Sequence, residues 1–371
     1  MLTNLRHKMV IMITYLSHWD WILYKSRKDL IKHIKSEKIN AMCPDGKFTE
    51  ELKNTYENVY SWNINREKIL DIQAVLNLRA QLKDAETNFH CFTLKTGIIF
   101  SIASIFLKNR SKAVLSITGL GFLFSNNRRA KLMRILIKPL IRQLFSNSFK
   151  VIIFQNHADK EIFLSYSKFS NKVEIIPSSG IEIGNFEKRK ENMNHQEKRK
   201  IILVSRLLYD KGILDYLNLV NRLKNENYEF YLAGERDEGN PQNINDEDMQ
   251  RILLTENLNY LGEIEVEREL SNFDISIIMS SHEGFSRILL ESLYVGLYCL
   301  AYKIQGTEVM EDFTNLELIK LNQIDQFAEL IKNFNGVADN SKNTELIEQL
   351  YSSKEVALRF EKIYQELDVL D

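Results

Sequence analysis

Two glutamates eight positions apart, Glu283 and Glu291, stand out among the residues that could do chemistry. The apolar run before them, 274–279, is typical of a buried parallel strand, and 288–295 is typical of a helix that ends at Gly296. Glu283 therefore lies in the loop at the carboxyl end of a strand, and Glu291 lies about two turns into the next helix. A strand–turn–helix with two incidental surface glutamates is the alternative.

The residues between the two glutamates could bind an anion through their backbone. The amides of Gly284, Phe285 and Ser286 lie just before the predicted helix and form its positive end. The N-terminus of a helix attracts negative charge such as a diphosphate. A loop carboxylate, free amides and a second carboxylate together suit a sugar, a diphosphate and a ribose.

A second motif, Ser205-Arg-Leu-Leu-Tyr-Asp-Lys-Gly212, follows the predicted strand 201–204. Arg206 and Lys211 would lie at the carboxyl end of that strand and could clamp a diphosphate, Arg as a planar fork and Lys as a point charge. Taken singly, either cation is usually a solvated surface residue. Arg206 and Lys211 occur together and precede Glu283 and Glu291 in the chain, which indicates that the four residues share one site.

These motifs resemble the Gly/Ser-Arg-Leu…Lys-Gly and Glu-x7-Glu signatures of retaining, family-4-type glycosyltransferases with the GT-B fold. Further motifs, Thr118-Gly-Leu-Gly-Phe122 and Ile153-Phe-Gln-Asn156, narrow the resemblance to bacterial enzymes of O-antigen, capsule and lipid-linked glycan assembly. It implies that Arg206 and Lys211 bind the diphosphate of a nucleotide sugar, UDP-linked in this group. It also implies that Glu283 contacts the donor sugar and that Glu291 accepts hydrogen bonds from the ribose.

Retaining transfer needs a neutralised leaving diphosphate and a firmly held, oxocarbenium-like sugar. Electrostatic stabilisation is normally the largest contribution to such chemistry, and Arg206, Lys211 and the helix amides could supply it without a metal. No Asp-x-Asp triplet lies near a predicted strand end, which disfavours a site that depends on Mg²⁺ or Mn²⁺. We therefore expect no metal ion and no cofactor besides the donor substrate.

In the first half of the chain, His90 and Lys95 follow the predicted strand 88–92. His90 is a candidate catalytic contact to a sugar or phosphate, with a structural histidine as the alternative. The resemblance implies a glycine pair in the first loop, but residues 15–22 contain no glycine. His18 or Asp20 could take the place of those backbone contacts. A second departure is Ser286-Arg287, where the group commonly has Gly-Leu or Gly-Pro.

A length of 371 residues predicts two domains. Strands alternating with helices predict an α/β fold with a doubly wound parallel sheet in each domain. The GT-B resemblance implies two such Rossmann-like domains facing each other across a cleft. We expect an acceptor-binding domain at 1–187, a polar linker at 188–199 and a nucleotide-sugar-binding domain at 200–355. Residues 356–371 are expected to form a helix that returns to the first domain.

The charge of the chain is divided between its halves. Residues 1–200 contain 34 Lys and Arg against 18 Asp and Glu, a net charge of +16, whereas residues 201–371 have a net charge of −17. The predicted amphipathic helix 128–142 has six basic residues and no acidic one: Arg128, Arg129, Lys131, Arg134, Lys138 and Arg142. Such a helix favours docking on an anionic membrane surface, with a core helix that has a basic polar face as the alternative.

Composition is typical of a globular protein, at 44% hydrophobic and 27% charged residues. The most hydrophobic stretch, 97–107, is too short to cross a bilayer, and no signal peptide is evident. Three scattered cysteines fit a reducing cytoplasm. We therefore expect a cytoplasmic protein that is peripheral on the inner face of the membrane.

The resemblance implies a glycosyltransferase that moves a hexose or N-acetylhexosamine from a UDP-sugar to a lipid-diphosphate-linked saccharide. Three alternatives stay open. A GT-B sugar-nucleotide epimerase would leave the basic helix unexplained, and a nucleic-acid-binding protein would explain the basic half but lacks a recognisable module. A non-catalytic partner subunit does not fit the intact set of motif residues.

Overall fold

The computed structural model describes residues 11–35, 37–66, 68, 70–105, 107, 113–120, 142–166, 169, 171–189 and 198–369. The chain divides into two compact units. Unit 1 comprises Met1–Gly180 and Ser353–Asp371, and unit 2 comprises Ile181–Ser352. Each unit has a parallel sheet flanked by helices, so the predicted α/β class with two Rossmann-like domains is confirmed.

Unit 1 alternates strands and helices along most of its length. Its strands are β1 (Ile11–Leu16), β2 (Glu37–Cys43), β3 (Val59–Ser61), β4 (Asn88–Phe92), β5 (Ala113–Ile117), β6 (Phe149–Phe154) and β7 (Lys172–Ile175). Its helices are α1 (Asp20–Ile31), α2 (Thr49–Lys53), α3 (Ile72–Leu82), α4 (Leu94–Ala103) and α5 (His157–Tyr166), joined by the last helix, α13 (Ser353–Val369). The strand order is β3-β2-β1-β4-β5-β6-β7, with every pair parallel.

Unit 2 repeats the pattern. Its strands are β8 (Arg199–Val204), β9 (Tyr228–Ala233), β10 (Leu258–Gly262), β11 (Ile275–Ile278), β12 (Tyr298–Tyr302) and β13 (Leu316–Ile319). Its helices are α6 (Ile213–Arg222), α7 (Asp246–Leu254), α8 (Val266–Glu269), α9 (Arg287–Val295), α10 (Gln305–Glu308), α11 (Ile324–Lys332) and α12 (Ser341–Leu350). The strand order is β10-β9-β8-β11-β12-β13, again all parallel.

Both faces of each sheet are covered by apolar clusters, which explains why the strands read as continuous apolar runs. In unit 1, Leu115 belongs to the cluster on one face of the sheet, and its neighbour Val114 belongs to the cluster on the other. In unit 2, Ile201 and Ile202 divide between two clusters in the same way. Alternate residues of a strand point to opposite faces, so a doubly covered sheet requires apolar residues at nearly every position.

The division between the units falls earlier in the chain than the sequence predicts. Unit 2 begins at Ile181, which forms a β-bridge with Ser352, and not at 200. Arg189, from the expected linker, donates to the Asp274 carboxylate of unit 2 at 2.8 Å. The remainder of the expected linker, 190–197, lies outside the described residues.

The C-terminal region also differs from the prediction. The sequence predicts the last helix over 356–371, whereas that helix, α13, begins at Ser353 and is separated from the preceding helix, α12, by Tyr351 and Ser352. Between the two helices the Tyr351 carbonyl accepts a hydrogen bond from the Ile181 amide at 3.0 Å. Strand β13 and helix α11 were not predicted. Among the described residues, no helix is long and apolar enough to cross a membrane.

Candidate active site

The four predicted motif residues of unit 2 lie at or near one edge of its sheet. Strands β8 and β11 are neighbours, although they are far apart in the chain, and the strand order reverses between them. Arg206 and Lys211 follow β8, and Glu283 follows β11. The carboxyl ends of parallel strands at such a reversal form the crevice in which α/β domains bind ligands.

A glycine turn brings the loops after β8 and β11 together. Gly212 has a left-handed backbone, with φ of +74°, and a Cβ atom there would lie 2.2 Å from the carbonyl oxygen of Met279. Only glycine allows this close approach. As a result, the Lys211 ammonium reaches the Glu283 carboxylate, with 2.6 Å between Nζ and Oε1.

Glu283 is held on several sides. Besides Lys211, the Ser280 hydroxyl donates to its Oε1 at 2.9 Å. Gly306 packs against the Glu283 backbone so closely that a Cβ atom there would lie 2.5 Å from the Glu283 carbonyl oxygen. The Gly306 carbonyl also accepts a hydrogen bond from the Ser286 amide at 3.1 Å. The loop that contains Glu283 is thus tied to α10, the short helix after β12.

Arg206 is positioned by a carboxylate that the sequence analysis missed. Its Nη1 lies 2.6 Å from Oδ2 of Asp237, whose side chain is 3% exposed. The Asn240 side-chain amide donates to the same oxygen at 3.0 Å. Asp237 belongs to the loop after β9, which begins at Gly234, and a Cβ atom there would lie 1.8 Å from the Ser205 carbonyl oxygen. This packing brings the loop against the Arg206 motif.

Glu291 is paired within its own helix. Oε1 of Glu291 accepts a hydrogen bond from Nε of Arg287 at 2.6 Å, and the Glu291 side chain is 8% exposed. Arg287 is one of the two residues of the Ser286-Arg287 departure from the resemblance. Arg287 therefore orients Glu291, the residue predicted to bind the ribose, and it adds a cation to the first turn of α9.

The start of α9 differs in detail from the predicted anion site. The Ser286 amide is engaged by Gly306, so it is not one of the free amides that the sequence predicted. Phe285 is buried and its ring stacks on Tyr351 with centroids 5.7 Å apart. The Ser286 hydroxyl, by contrast, is buried and has no hydrogen-bond partner. A buried hydroxyl without a partner costs free energy, which makes this group a candidate ligand donor next to Gly284.

His90 does not take the expected position beside a ligand. The residue is completely buried; its Nδ1 lies 2.6 Å from the Tyr364 hydroxyl and its Nε2 lies 2.7 Å from the Ser116 hydroxyl. Burial lowers the pKa of His90 well below its usual value, so the ring is neutral. The Tyr364 hydroxyl also contacts Tyr15 at 2.8 Å. The structure supports the alternative of a structural histidine, which fastens α13 to the unit 1 sheet.

The two polar candidates in the first loop of unit 1, His18 and Asp20, make different contacts. Asp20 is buried and its carboxylate accepts the amides of Trp21 and Phe48, at 2.8 and 2.9 Å, so it stabilises the chain where α1 begins. His18 places Nδ1 3.0 Å from the Thr93 hydroxyl. Asp20 therefore does not replace the missing glycine pair.

The predicted membrane helix lies almost wholly outside the described residues, which resume at Arg142. Its five other basic residues carry no structural description. Among the described residues, no group of three or more His, Cys, Asp or Glu side chains could hold a metal ion.

Comparison with protein families shows a match over the second unit. Residues 185–352 match the family described as glycosyl transferases group 1. Over 311 residues the chain is 26% identical to the N,N'-diacetylbacillosaminyl-diphospho-undecaprenol alpha-1,3-N-acetylgalactosaminyltransferase of Campylobacter jejuni. That alignment covers 79% of this chain and 81% of the relative.

Solved structures agree with the fold along nearly the whole chain. The sucrose-phosphate synthase of Thermosynechococcus elongatus superposes with a TM-score of 0.75 at 14% identity, covering 97% of this chain and 100% of that one. The Anabaena protein HepE in complex with UDP and glucose gives 0.75 at 15% identity, covering 96% and 100%. These likenesses show the fold alone. The family match places a glycosyl transferases group 1 domain within unit 2, and the similarity to the Campylobacter enzyme supports a glycosyltransferase with the GT-B fold.

Proposed function

We propose that this glycosyltransferase transfers a hexose or N-acetylhexosamine from a UDP-sugar to a lipid-diphosphate-linked saccharide, with retention of the anomeric configuration and without a metal ion. Unit 2 binds the nucleotide sugar. Arg206 and Lys211 hold the diphosphate, Glu283 contacts the sugar, and Glu291 accepts hydrogen bonds from the ribose.

The contact between Lys211 and Glu283 carries this proposal. Two residues from loops 72 positions apart in the chain meet at 2.6 Å where the strand order of unit 2 reverses. Lys211 is a cation that can bind phosphate, and Glu283 is a carboxylate that can bind sugar hydroxyls. They lie side by side, as the phosphate and the sugar do at the reacting bond of a sugar diphosphate. The buried Ser286 hydroxyl without a partner supports an anion at the start of α9.

The same arrangement suits the transition state. As the bond between sugar and diphosphate breaks, negative charge grows on the leaving oxygen. Preorganised cations aimed at such charge are usually the largest source of rate enhancement. Asp237 holds the Arg206 guanidinium at 2.6 Å, and Glu283 holds the Lys211 ammonium, so neither cation has to be ordered when the donor binds.

The donor and acceptor classes are supported by the relatives. HepE binds UDP and glucose in its solved complex, which fits a UDP-linked donor here. The Campylobacter relative acts on a saccharide joined by a diphosphate to undecaprenol, which fits an acceptor in the membrane. We therefore propose that the protein works peripherally on the cytoplasmic leaflet, in the assembly of O-antigen, capsule or protein-linked glycan.

The test is a transfer assay with purified protein, a panel of radiolabelled UDP-sugars and lipid extracts that contain prenyl-diphosphate saccharides. We expect one UDP-sugar to label the lipid fraction, and the new linkage to have the same anomeric configuration as the donor. Activity should persist in excess EDTA. Inversion of the configuration, or strict dependence on Mn²⁺, would contradict those parts of the proposal.

The alternatives predict other outcomes of the same experiment. A sugar-nucleotide epimerase would convert the UDP-sugar without any lipid and label nothing in the membrane fraction. A nucleic-acid-binding protein would show salt-sensitive binding to duplex DNA and no transfer. A non-catalytic subunit would bind UDP but transfer sugar only with a second protein present.

A further inference from the structure

Glu291 is a buried carboxylate on a helix whose backbone is held in place. Residues 289–295 of α9 are all buried, and the Ser292 hydroxyl donates to the Ser276 hydroxyl of β11 at 2.8 Å. At the start of the helix, the Ser286 amide is hydrogen-bonded to the chain that follows β12. The position of the Glu291 backbone is therefore fixed, and the torsions of its side chain decide where the carboxylate points.

Arg287 holds those torsions. Its Nε donates to Oε1 of Glu291 at 2.6 Å, from one helical turn earlier. Helical side chains lean toward the N-terminus of their helix, so the Glu291 carboxylate lies over the first turn of α9. That turn lies beyond the carboxyl end of β11, where ligands of such sheets bind. A buried carboxylate also requires a hydrogen-bonding or charged partner, and the guanidinium is both.

Helix electrostatics alone do not favour this ion pair. A cation in the first turn of a helix faces the positive end of the helix dipole. An ion pair four residues apart is also weaker when the cation precedes the anion than in the reverse order. Sequences that break such local rules usually do so at functional sites. The pair of Arg287 and Glu291 is therefore better explained by the task of Glu291 than by the stability of α9.

We propose that Arg287 is a positioning residue that holds the Glu291 carboxylate ready for the hydroxyl groups of the donor ribose, and that it thereby makes the nucleotide site specific for a ribonucleotide. The contact between Glu291 and the ribose rests on the proposed function, whereas the action of Arg287 through Glu291 rests on the hydrogen bond between them. A carboxylate that is already immobilised loses little conformational freedom when the nucleotide binds. Each ribose hydroxyl that donates to it therefore contributes more to the affinity.

A direct contact between Arg287 and the diphosphate is the competing explanation, because Arg287 brings a positive charge to the start of α9. The two explanations depend on different parts of the nucleotide. Positioning through Glu291 depends on the ribose hydroxyls, whereas a direct contact depends on the phosphates. Three nucleotides separate them: UDP, UMP and the 2′,3′-dideoxy form of UDP, which lacks both hydroxyls.

The experiment is calorimetry on the full chain with these three nucleotides as probes. Arg287→Leu removes the hydrogen-bond donor and leaves an apolar side chain in its place. We expect it to weaken the binding of UDP by about three- to tenfold, the usual effect of ordering one long side chain on binding, and that of UMP by the same factor. Dideoxy-UDP should bind to the wild type less tightly than UDP does, and the variant should bind it no less tightly than the wild type. Arg287→Lys, which keeps a cation within reach of Glu291, should recover part of the affinity for UDP.

A double variant and a matched control make the test specific to this pair. Glu291→Ala should abolish most of the preference for UDP over dideoxy-UDP. Adding Arg287→Leu to it should then change the affinity for UDP little, because residues that act through one contact are not additive. Arg268→Leu breaks an exposed Arg–Glu pair of the same unit, with Glu265, and should leave all three affinities unchanged. If Arg287→Leu fails to fold, Arg287→Gln takes its place.

The outcomes separate the positioning role from the function on which it rests. A loss as large for dideoxy-UDP as for UDP, or one that is absent for UMP, would show that Arg287 acts on the diphosphate and would overturn the positioning role. Unchanged affinity for UDP in a folded Arg287→Leu protein overturns it as well. If Glu291→Ala keeps the full preference for UDP over dideoxy-UDP, or if the wild type has no such preference, Glu291 does not meet the ribose. In that case the positioning role and this part of the proposed function both fail.

Discussion

Each motif cation of unit 2 already has an anionic partner in the structure. Lys211 pairs with Glu283, and Arg206 pairs with Asp237. A diphosphate that binds there must compete with these carboxylates for the same N–H groups. The pairs therefore keep the cations in place without a ligand, and they also lower the positive charge that an arriving diphosphate meets.

Replacing either cation should remove catalysis while the fold persists. We expect Arg206→Ala and Lys211→Ala to lower turnover by about a hundredfold or more, because each removes one preorganised charge opposite the leaving group. Purified variants should be compared with Arg222→Ala, which breaks the exposed ion pair with Asp325 in the same unit. Near-normal turnover in both motif variants would show that the diphosphate binds elsewhere.

The two glutamates should differ in what they affect. Glu291→Ala is expected to weaken UDP binding by about 1–3 kcal/mol, the usual loss for a charged hydrogen-bond partner. Glu283→Ala should mainly reduce turnover, since Glu283 is proposed to face the reacting sugar. Calorimetry with UDP and steady-state kinetics separate the two effects. Glu265→Ala, an exposed carboxylate of unit 2, is the control, and a larger affinity loss in Glu283→Ala would reverse the assignment.

At the scale of elements, the loop that contains Glu283 depends on one glycine. Gly306→Ala would place a methyl group 2.5 Å from the Glu283 carbonyl oxygen, so the loop must shift. We expect turnover to fall by about ten- to a hundredfold, since small displacements of catalytic groups have effects of this size. Gly184→Ala is the matched control, because a Cβ atom there meets nothing within 4 Å. Equal activity of the two variants would show that the loop tolerates the shift.

Helix α13 is fastened to unit 1 through a neutral histidine, which gives a pH dependence. The pKa of His90 lies well below 6.5 in the folded protein, whereas the unfolded chain binds a proton near that pH. Stability from this group is therefore present above pH 6.5 and is lost as the pH falls below it. Between pH 7.5 and 5.5 the loss should be about 1 kcal/mol.

Urea unfolding of the wild type, His90→Asn and His157→Asn at both pH values would measure this contribution. His90→Asn should be less stable than the wild type at pH 7.5, because the Tyr364 and Ser116 hydroxyls lose a partner, yet it should lose less stability on acidification. His157 is exposed, so its variant should behave like the wild type. An unchanged pH dependence in His90→Asn would contradict the proposed role.

Local sequence patterns predicted most elements, because parallel strands that are buried on both faces appear as continuous apolar runs bounded by polar residues. Strand β4 was predicted with the bounds that it has, and so were the motif positions after β8 and β11. Tertiary partners could not be read in this way. Neither Asp237 near Arg206 nor the burial of His90 by Tyr364 has a local signal, since each pair is far apart in the chain. Strand β13 was missed because its four residues include the polar Glu317.

At the scale of the whole molecule, the charge asymmetry predicts attachment to an anionic leaflet. Each Lys or Arg near such a surface contributes about 1 kcal/mol, screened over a Debye length of about 8 Å at physiological salt. Reversing Arg128, Arg129 and Lys131 to Glu should therefore release the protein from phosphatidylglycerol liposomes. Turnover on a short-chain, water-soluble acceptor should stay nearly unchanged.

The control for this experiment is a triple reversal with the same change in net charge. Lys38, Lys53 and Lys83 are exposed lysines of unit 1, and their reversal should weaken liposome binding much less. If both triple variants bind liposomes as the wild type does at moderate salt, the basic segment 128–142 is not what holds the protein at the membrane.

The division of the chain into units has a consequence for its biosynthesis. Unit 1 includes both residues 1–180 and helix α13, whose Tyr364 covers Tyr15 and His90 in the core. All of unit 2 must be translated before that helix leaves the ribosome. At bacterial and eukaryotic synthesis rates this takes on the order of ten seconds, during which the sheet of unit 1 lacks its last covering helix. Unit 2 is continuous in the chain and can therefore complete its fold as soon as it is synthesised, whereas unit 1 cannot bury Tyr15 and His90 under Tyr364 until the end of the chain is made.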